Sequence, residues 1–349
     1  MTTSVSKVSA LRPSFASDNH FGAHPAVLAA LAEYNDGSVP AYGDDPVTQA
    51  VEARFRELFG PDTEVFLVFN GTAANVLGLQ ALLAPWEAVI CTARAHIAED
   101  ECGAPERFAA AKLLTVASPD GKLDPTAIPA LLTRIGDQHG VQPRVVSISQ
   151  STEYGTVYTP TEVQDLAAVA HYHNLKLHMD GARIANAAVS LGLPIREFTV
   201  AAGVDVLSFG GTKNGALAAE AVVVFDPELA RNLKFIRKQG MQLASKMRFL
   251  AAQFLALLAD DRYLELAEHA NRMARRLSGN LAGVPGVTVT QRVEANAVFA
   301  IVDPKLREAL LANFRFYLWD EKTGEVRWMT SWATTEEDVD RFVRAIRGV

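Results

Sequence analysis

The spacing of apolar runs in this 349-residue chain predicts an α/β fold: a mainly parallel seven-stranded sheet with helices on both faces, followed by a small C-terminal α+β domain. Two patterns and the length predict it. From Glu64 onward, short β-rich runs alternate with helical periodicity, the order that produces right-handed crossovers and parallel strands. Past Asp260-Asp261 the alternation gives way to a charged helix, further strand-like runs and a last helix. The length exceeds what one ordinary core fills, so unequal domains are expected.

In order, residues 1–25 are read as an N-terminal arm, 26–260 as the large domain and 261–349 as the small one. His24 to Glu33 is helical, and Asn35 to Pro46 is a turn-rich segment too polar for core, read as active-site or interface structure. Strands of the large sheet are expected at Glu64–Phe69, Ala88–Thr92, Lys112–Val116, Arg144–Ser149, Lys176–Met179, Val204–Phe209 and Ala221–Phe225. Functional residues in such sheets collect at the strands' carboxyl ends, where loops face one crevice. Asn70, Gln150, Asp180 and Gly210 stand there. Met247, Leu250, Ala251, Phe254, Leu255 and Leu258 recur at helical spacing and predict a long packed helix leading away from the sheet. Beyond it come a helix at Arg262–Leu281, strands near Val287–Thr290, Val298–Val302, Arg315–Leu318 and Val326–Met329, and a helix at Glu336–Ile346.

A formal charge of −7 gives no electrostatic reason to expect nucleic acid as a partner, because its binders carry a basic face. The longest apolar stretch, Phe249 to Ala259, contains Gln253 and is about half the length a bilayer crossing needs, so no membrane partner is expected. The first seven residues lack the apolar core of a secretory signal; the mature chain is expected to begin near its written start and to be cytoplasmic. Cys91 and Cys102 make neither a disulfide framework nor a four-ligand zinc site and are read as free thiols. His171 and His173 lack converging carboxylates or thiols and are read as surface, so no metal is expected.

Asn70-Gly71-Thr72-Ala73-Ala74-Asn75 follows a strand and opens a helix. Its backbone N–H groups and the Thr72 hydroxyl can hold a phosphate there; equally, Asn70 or Thr72 can simply cap the helix. The segment has neither the Lys-Ser/Thr ending of a nucleoside-triphosphate loop nor the glycine spacing of a dinucleotide fold. Lys213 lies in the glycine-rich turn Ser208-Phe209-Gly210-Gly211-Thr212-Lys213-Asn214-Gly215, where backbone can approach a ligand and Thr212 can add a phosphate contact. Standing alone, it would suit a solvated lysine. Asp180, in His178-Met179-Asp180-Gly181-Ala182-Arg183, ends a strand, and a carboxylate there needs a cation, either Arg183 or a cofactor's pyridinium nitrogen.

Together the two segments point to pyridoxal phosphate. Lys213 would hold the aldehyde as a Schiff base, and Asp180 would keep the ring nitrogen protonated so that the ring accepts electrons. Partial burial would lower the lysine's pKa as a nucleophilic amine requires. Arg183 would then be free to clamp a substrate carboxylate with its two-pronged guanidinium. His96 follows a strand and suits ring stacking, proton movement or a structural role. His139 sits in a loop and reads as site or bystander. Arg327 falls on a late strand among aromatics, where a buried guanidinium needs an anion; a substrate carboxylate is one candidate.

With these residues in view, the chain resembles, nearly end to end, the low-specificity L-threonine aldolases, pyridoxal phosphate enzymes of the aspartate aminotransferase-like fold type I. The resemblance is carried by Phe15-Ala16-Ser17-Asp18-Asn19, Ala41-Tyr42-Gly43-Asp44-Asp45, Phe69-Asn70-Gly71-Thr72-Ala73-Ala74-Asn75, Ala95-His96 and the Asp180 and Lys213 segments. It implies that Lys213 bonds the cofactor, Asp180 pairs with its ring nitrogen and His96 stacks over the ring. It further implies Gly71 and Thr72 at the phosphate, with Ser17, Arg183 and Arg327 on the substrate carboxylate. His139 matches the family's second histidine near the β-hydroxyl, although the residues after it depart from the commoner aromatic-proline continuation. Many members have serine where Asn70 and Thr212 stand. The family borrows phosphate contacts from a neighbouring subunit, through a basic stretch corresponding to Arg237-Lys238 through Lys246-Met247-Arg248. That implies a homo-oligomer with shared sites, a dimer at minimum and commonly a tetramer.

The implied activity is carbon–carbon lyase cleavage of L-threonine, L-allo-threonine and related β-hydroxy-α-amino acids to glycine and an aldehyde. His139, or His96 through water, would take the β-hydroxyl proton. The same cofactor also supports β-elimination, racemisation, transaldolation and transamination. A catalytically silent scaffold is the alternative from another class, and the intact set Lys213, Asp180, His96 and Arg183 argues against it.

Overall fold

The computed structural model describes residues 13–348. The large sheet has seven strands: β1 (Glu64–Val68), β2 (Glu87–Thr92), β3 (Lys112–Val116), β4 (Gln142–Ser149), β5 (Lys176–Gly181), β6 (Val206–Gly210) and β7 (Glu220–Val224). They lie in the order β1-β7-β6-β5-β4-β2-β3. β2 to β6 pair in parallel, and β7 runs antiparallel to both of its neighbours. Strands buried on both faces read as continuous apolar runs, and β6 and β7 are buried at every residue.

Alternate side chains feed two cores. On one face Phe209, Ala221 and Val223 meet the helices Pro46–Phe59 and Arg248–Leu258. The Phe55 ring is 5.1 Å from Phe209 and 5.5 Å from Phe254, both edge to face. On the other face Val206, Val222 and Val224 meet the Gly71–Leu82 helix.

A loop joining antiparallel strands stays at one end of the sheet. Gly210 pairs directly with Glu220 across β6 and β7, so the intervening turn, with Lys213, remains at the carboxyl ends of β5 and β6. β5 extends past the expected Met179 and carries Asp180 within the strand.

The small sheet is antiparallel, in the order β10-β11-β9-β8, with β8 at Val287–Val289, β9 at Ala297–Val302, β10 at Tyr317–Asp320 and β11 at Glu325–Met329. Its core gathers Trp328, Phe342 and Phe15, with ring centroids 5.2 Å apart for Trp328–Phe342 and 4.5 Å for Phe15–Phe342. β10 starts two residues later than expected because Arg315 pairs with the N-terminal segment: Phe15 N donates to Arg315 O, and Arg315 N to Pro13 O. Met329 N donates to Phe15 O. The described part of the expected arm is therefore strapped to the small sheet; residues 1–12 lie outside the described residues. At the boundary, Asp260 and Asp261 both adopt left-handed backbone, with φ of 52° and 53°. The helix that follows, Arg262–Gly279, gives Tyr263 and Ala267 to the large core and Met273, Ala274 and Leu277 to the small one. No helix among the described residues is long and apolar enough to cross a membrane.

A Cβ at Gly210 would lie 2.5 Å from the Ala182 carbonyl oxygen and 2.7 Å from its Cα, backbone atoms that cannot swing aside. Gly210→Ala should cost about 1–3 kcal/mol. Gly71→Ala, with nothing within 4 Å of its Cβ, should change stability by no more than about 0.5 kcal/mol. Urea unfolding of the two cofactor-free variants measures the contrast.

Candidate active site

Asp180 is the centre of the site. It lies on the same face of β5 as His178 and is 8% exposed. Asn75, from inside the Gly71–Leu82 helix, donates through Nδ2 to Asp180 Oδ2 at 2.7 Å and to Glu101 Oε1 at 2.8 Å; Ala182 N donates to Asp180 Oδ1 at 2.9 Å. Glu101 Oε1 is 2.8 Å from His96 Nδ1. The chain Asp180–Asn75–Glu101–His96 thus ties the carboxylate to the imidazole. Burial would raise the Asp180 pKa, but the His96 and Lys213 charges and these hydrogen bonds hold it below the usual carboxylate range. Burial would lower His96, yet the Glu101 hydrogen bond and the Asp180 charge raise it. Among the described residues Asp180 has no ion-pair partner: the alternative pairing with Arg183 does not form, and neutral His178, pushed down to about 4 by burial, supplies no cation.

Lys213 sits in the Thr212–Asn214 turn, partly buried, and its Nζ has no hydrogen-bond partner among the described residues. Burial and the Arg183 charge lower its pKa, the direction a nucleophilic amine needs. Glu220, pushed up to about 7 by burial, accepts from Thr212 N at 3.2 Å. Thr212 Oγ1 accepts from Ala219 N at 3.2 Å.

At the start of the Gly71–Leu82 helix, Asn70 Oδ1 caps Ala73 N at 2.9 Å, and Asn70 O accepts from Ala74 N. The N–H groups of Gly71 and Thr72 have no partner among the described residues, as an anion site at a helix N-terminus requires. Capping and anion binding, alternatives in the sequence, are here compatible.

The two arginines differ. Arg183 is not free: Asp18 takes its Nε at 2.7 Å and Nη2 at 3.0 Å. A guanidinium has five N–H donors, so the Nη1 side stays open. Arg327 makes no ion pair among the described residues. Its Nε is buried and unpaired, its one hydrogen bond is Nη2 to Ala16 O at 3.3 Å, and it packs on Trp319 at 4.7 Å and Tyr317 at 5.7 Å. Burial and the Arg183 charge push it down to about 10. Ser17 is buried beside Asp18; its hydroxyl accepts from Asn19 N at 3.2 Å.

His139 does not join this group. It is exposed, in the loop leading into the amino end of β4, whereas the site lies at the carboxyl ends. Eight residues of strand separate those ends by roughly 25 Å, so the structure does not bring His139 to the other expected site residues of its own chain. Sequence reasoning missed Asn75, Glu101, Glu153 and Glu220 and gave Asp18 no role. Glu153 Oε1 accepts from Ser149 Oγ at 2.5 Å and from His96 N at 2.8 Å.

A family model described as "Beta-eliminating lyase" matches residues 14–305. The chain is 48% identical to a low specificity L-threonine aldolase of Pseudomonas aeruginosa, covering 95% of this chain and 96% of that one. This chain belongs to the low-specificity L-threonine aldolase family. A solved threonine aldolase of Leishmania major superposes with a TM-score of 0.91 at 34% identity, covering 96% of this chain and 99% of that one. An aspartate aminotransferase mutant of Thermus thermophilus superposes at 0.72 with 19% identity, covering 96% and 90%, which bears on the fold alone. The fold is aspartate aminotransferase-like.

Members of the aldolase family use pyridoxal phosphate, and the residues present fit it. An ionised carboxylate lacks a contact cation, an amine with a lowered pKa stands unpaired, and a helix start presents free N–H groups. Lys213→Ala should abolish the visible absorption that develops when cofactor-free protein takes up pyridoxal phosphate, and turnover with it. Spectra recorded during titration test this directly.

Proposed function

We propose that this protein cleaves L-threonine, L-allo-threonine and related β-hydroxy-α-amino acids to glycine and an aldehyde, as a pyridoxal phosphate-dependent carbon–carbon lyase. The observation that carries the reading is Arg327, a largely desolvated guanidinium with no ion-pair partner among the described residues, in the same electrostatic neighbourhood as Arg183 and Asp18. A buried cation needs a counter-charge, and the carboxylate of an amino acid supplies one.

Lys213 would hold the cofactor through its amine, Asp180 at the ring nitrogen and His96 over the ring, with Gly71, Thr72 and Thr212 at the phosphate. When bound, the cofactor supplies an electron sink for the pair left on Cα as the Cα–Cβ bond breaks. Arg327, the open side of Arg183 and the Ser17 hydroxyl would orient the substrate carboxylate and so select which bond at Cα is presented for cleavage. Asp180 stays ionised because Asn75, Ala182 N and the nearby cations favour its charged form. Glu101 holds the His96 ring in place from behind.

We also infer a cytoplasmic homo-oligomer, a dimer at minimum and a tetramer by family resemblance, with sites shared between subunits. Exposed Tyr42, Phe69, Phe108 and Met241 support it, since such side chains on one molecule favour association. Phe108 and Met241 also flank the cleft, about 350 Å³, beside the helix start at Asn70 and Thr72. Free Cys91 and Cys102 are consistent with a reducing compartment.

Purified holoenzyme supplied with threonine, allo-threonine or phenylserine should yield glycine and acetaldehyde or benzaldehyde in equal amounts. Formation of 2-oxobutanoate from threonine without glycine would identify β-elimination instead. Arg327→Ala should lower kcat/KM about 10²-fold or more, chiefly through KM, because it removes a desolvated charge partner of the carboxylate. Steady-state kinetics on threonine measure the split.

A further inference from the structure

Glu153 lies on the loop that leaves β4. Its Oε1 is fully engaged by the Ser149 hydroxyl and the His96 N–H, but Oε2 is buried and has no hydrogen-bond partner among the described residues. Buried polar atoms are nearly always paired, so an unpaired one beside His96 calls for an explanation. Glu101 also has an unpaired oxygen, but its side chain is 0% exposed, sealed behind His96, whose side chain is 36% exposed. Glu153 is partly exposed.

The neighbours of Glu153 define where it faces. Through Oε1 it holds the first residue of the short His96–Glu99 helix. The adjacent Tyr154 ring packs 6.2 Å from Trp319, which stacks 4.7 Å from the Arg327 guanidinium. Its carboxyl also bears electrostatically on Arg183. The loop therefore bridges the imidazole expected over the cofactor ring and the arginine expected on the substrate carboxylate. An amino acid held at Arg327 with its Cα toward Lys213 would then have His96 and Glu153 among the groups nearest its β-substituent.

We infer that Glu153 exchanges the proton of the substrate's β-hydroxyl during cleavage. The inference rests on the aldolase reading above and names a proton acceptor in the same chain as Lys213. The step balances: Oε2 takes the hydroxyl proton, the O–H pair becomes the new C=O bond, the Cα–Cβ bond breaks and its electron pair remains with Cα. A proton from solvent then completes glycine, and Glu153 returns its own to solvent. In synthesis the same carboxyl protonates the aldehyde oxygen. Burial, reinforced by the Asp180 charge, raises this carboxyl above its usual range, the direction that strengthens a carboxylate as a proton acceptor.

Glu153→Gln tests it, because the amide keeps the side chain's shape and an oxygen for the His96 N–H. Cleavage of threonine should fall about 10²–10³-fold in kcat. Glycine, which has no β-hydroxyl, should bind with wild-type affinity by calorimetry and exchange its α-hydrogen with deuterated water at near wild-type rate by NMR. Formate should restore part of the cleavage to Glu153→Ala. Undiminished cleavage in Glu153→Gln would overturn the inference. So would an equal loss of glycine exchange and cleavage, which would leave Glu153 only a support for His96. A wild-type holoenzyme that exchanges glycine but cleaves no β-hydroxy amino acid would instead sink the aldolase reading itself.

Discussion

A charge kept in a nearly dry place without a contacting cation is the constraint on which the site depends. Burial by itself would protonate Asp180, and an isolated ion in a protein interior is ordinarily too costly to keep. Here donors stand in for a counter-ion: one amide N–H from Asn75, one backbone N–H from Ala182, and the fields of His96 and Lys213. The arrangement explains two otherwise odd features of the Gly71–Leu82 helix. Asn75 is a polar residue among Ala74, Val76 and Leu77, turned inward to reach the carboxylate. Gly78 lets the helix lie close on the sheet, since a Cβ there would sit 3.2 Å from Val206 Cγ1 and touch the His178 ring. His178 is bracketed by the Ser147 and Ser208 hydroxyls and stays neutral, so it props up the strand without quenching the charge next to it.

Much of this was legible because strand ends in parallel sheets are punctuated. Asp180 and Lys213 each follow an apolar run and sit beside glycines, and both lie where those runs end. The supporting groups had no such mark. Glu101 belongs to Glu99-Asp100-Glu101, which reads as a solvated acidic stretch; only the fold turns its last member inward. Asp18 and Arg183 are 165 residues apart, so their pairing carries no local signal. The same holds for Arg315, whose pairing with the arm delays β10. His139 shows the reverse case: its segment precedes a site-bearing strand but lies at that strand's amino end, away from the other site residues of the chain. A pattern that locates a strand says nothing about which of its two ends a nearby loop residue occupies unless the chain direction is followed.

The two arginines show how the pocket selects its ligand by charge. Arg183 and Arg327 lie close enough for the Arg183 charge to depress Arg327. Were both unpaired, the pocket would favour a dianion and would destabilise the empty protein by like-charge repulsion. Asp18 removes that difficulty by neutralising one guanidinium along a two-pronged edge while Asn296 Nδ2, 3.2 Å from Oδ2, holds the aspartate in place. Around Arg327 one positive charge is then left uncompensated, the complement of one carboxylate. The aromatic faces of Trp319 and Tyr317 keep that cation tolerable before the ligand arrives. Because Asp18 is carried by the segment that straps onto the small sheet, the charge balance of the pocket depends on that sheet lying against the turn after β5 that carries Arg183. The carboxylate site is thereby complete only with the segment that carries Asp18 in place.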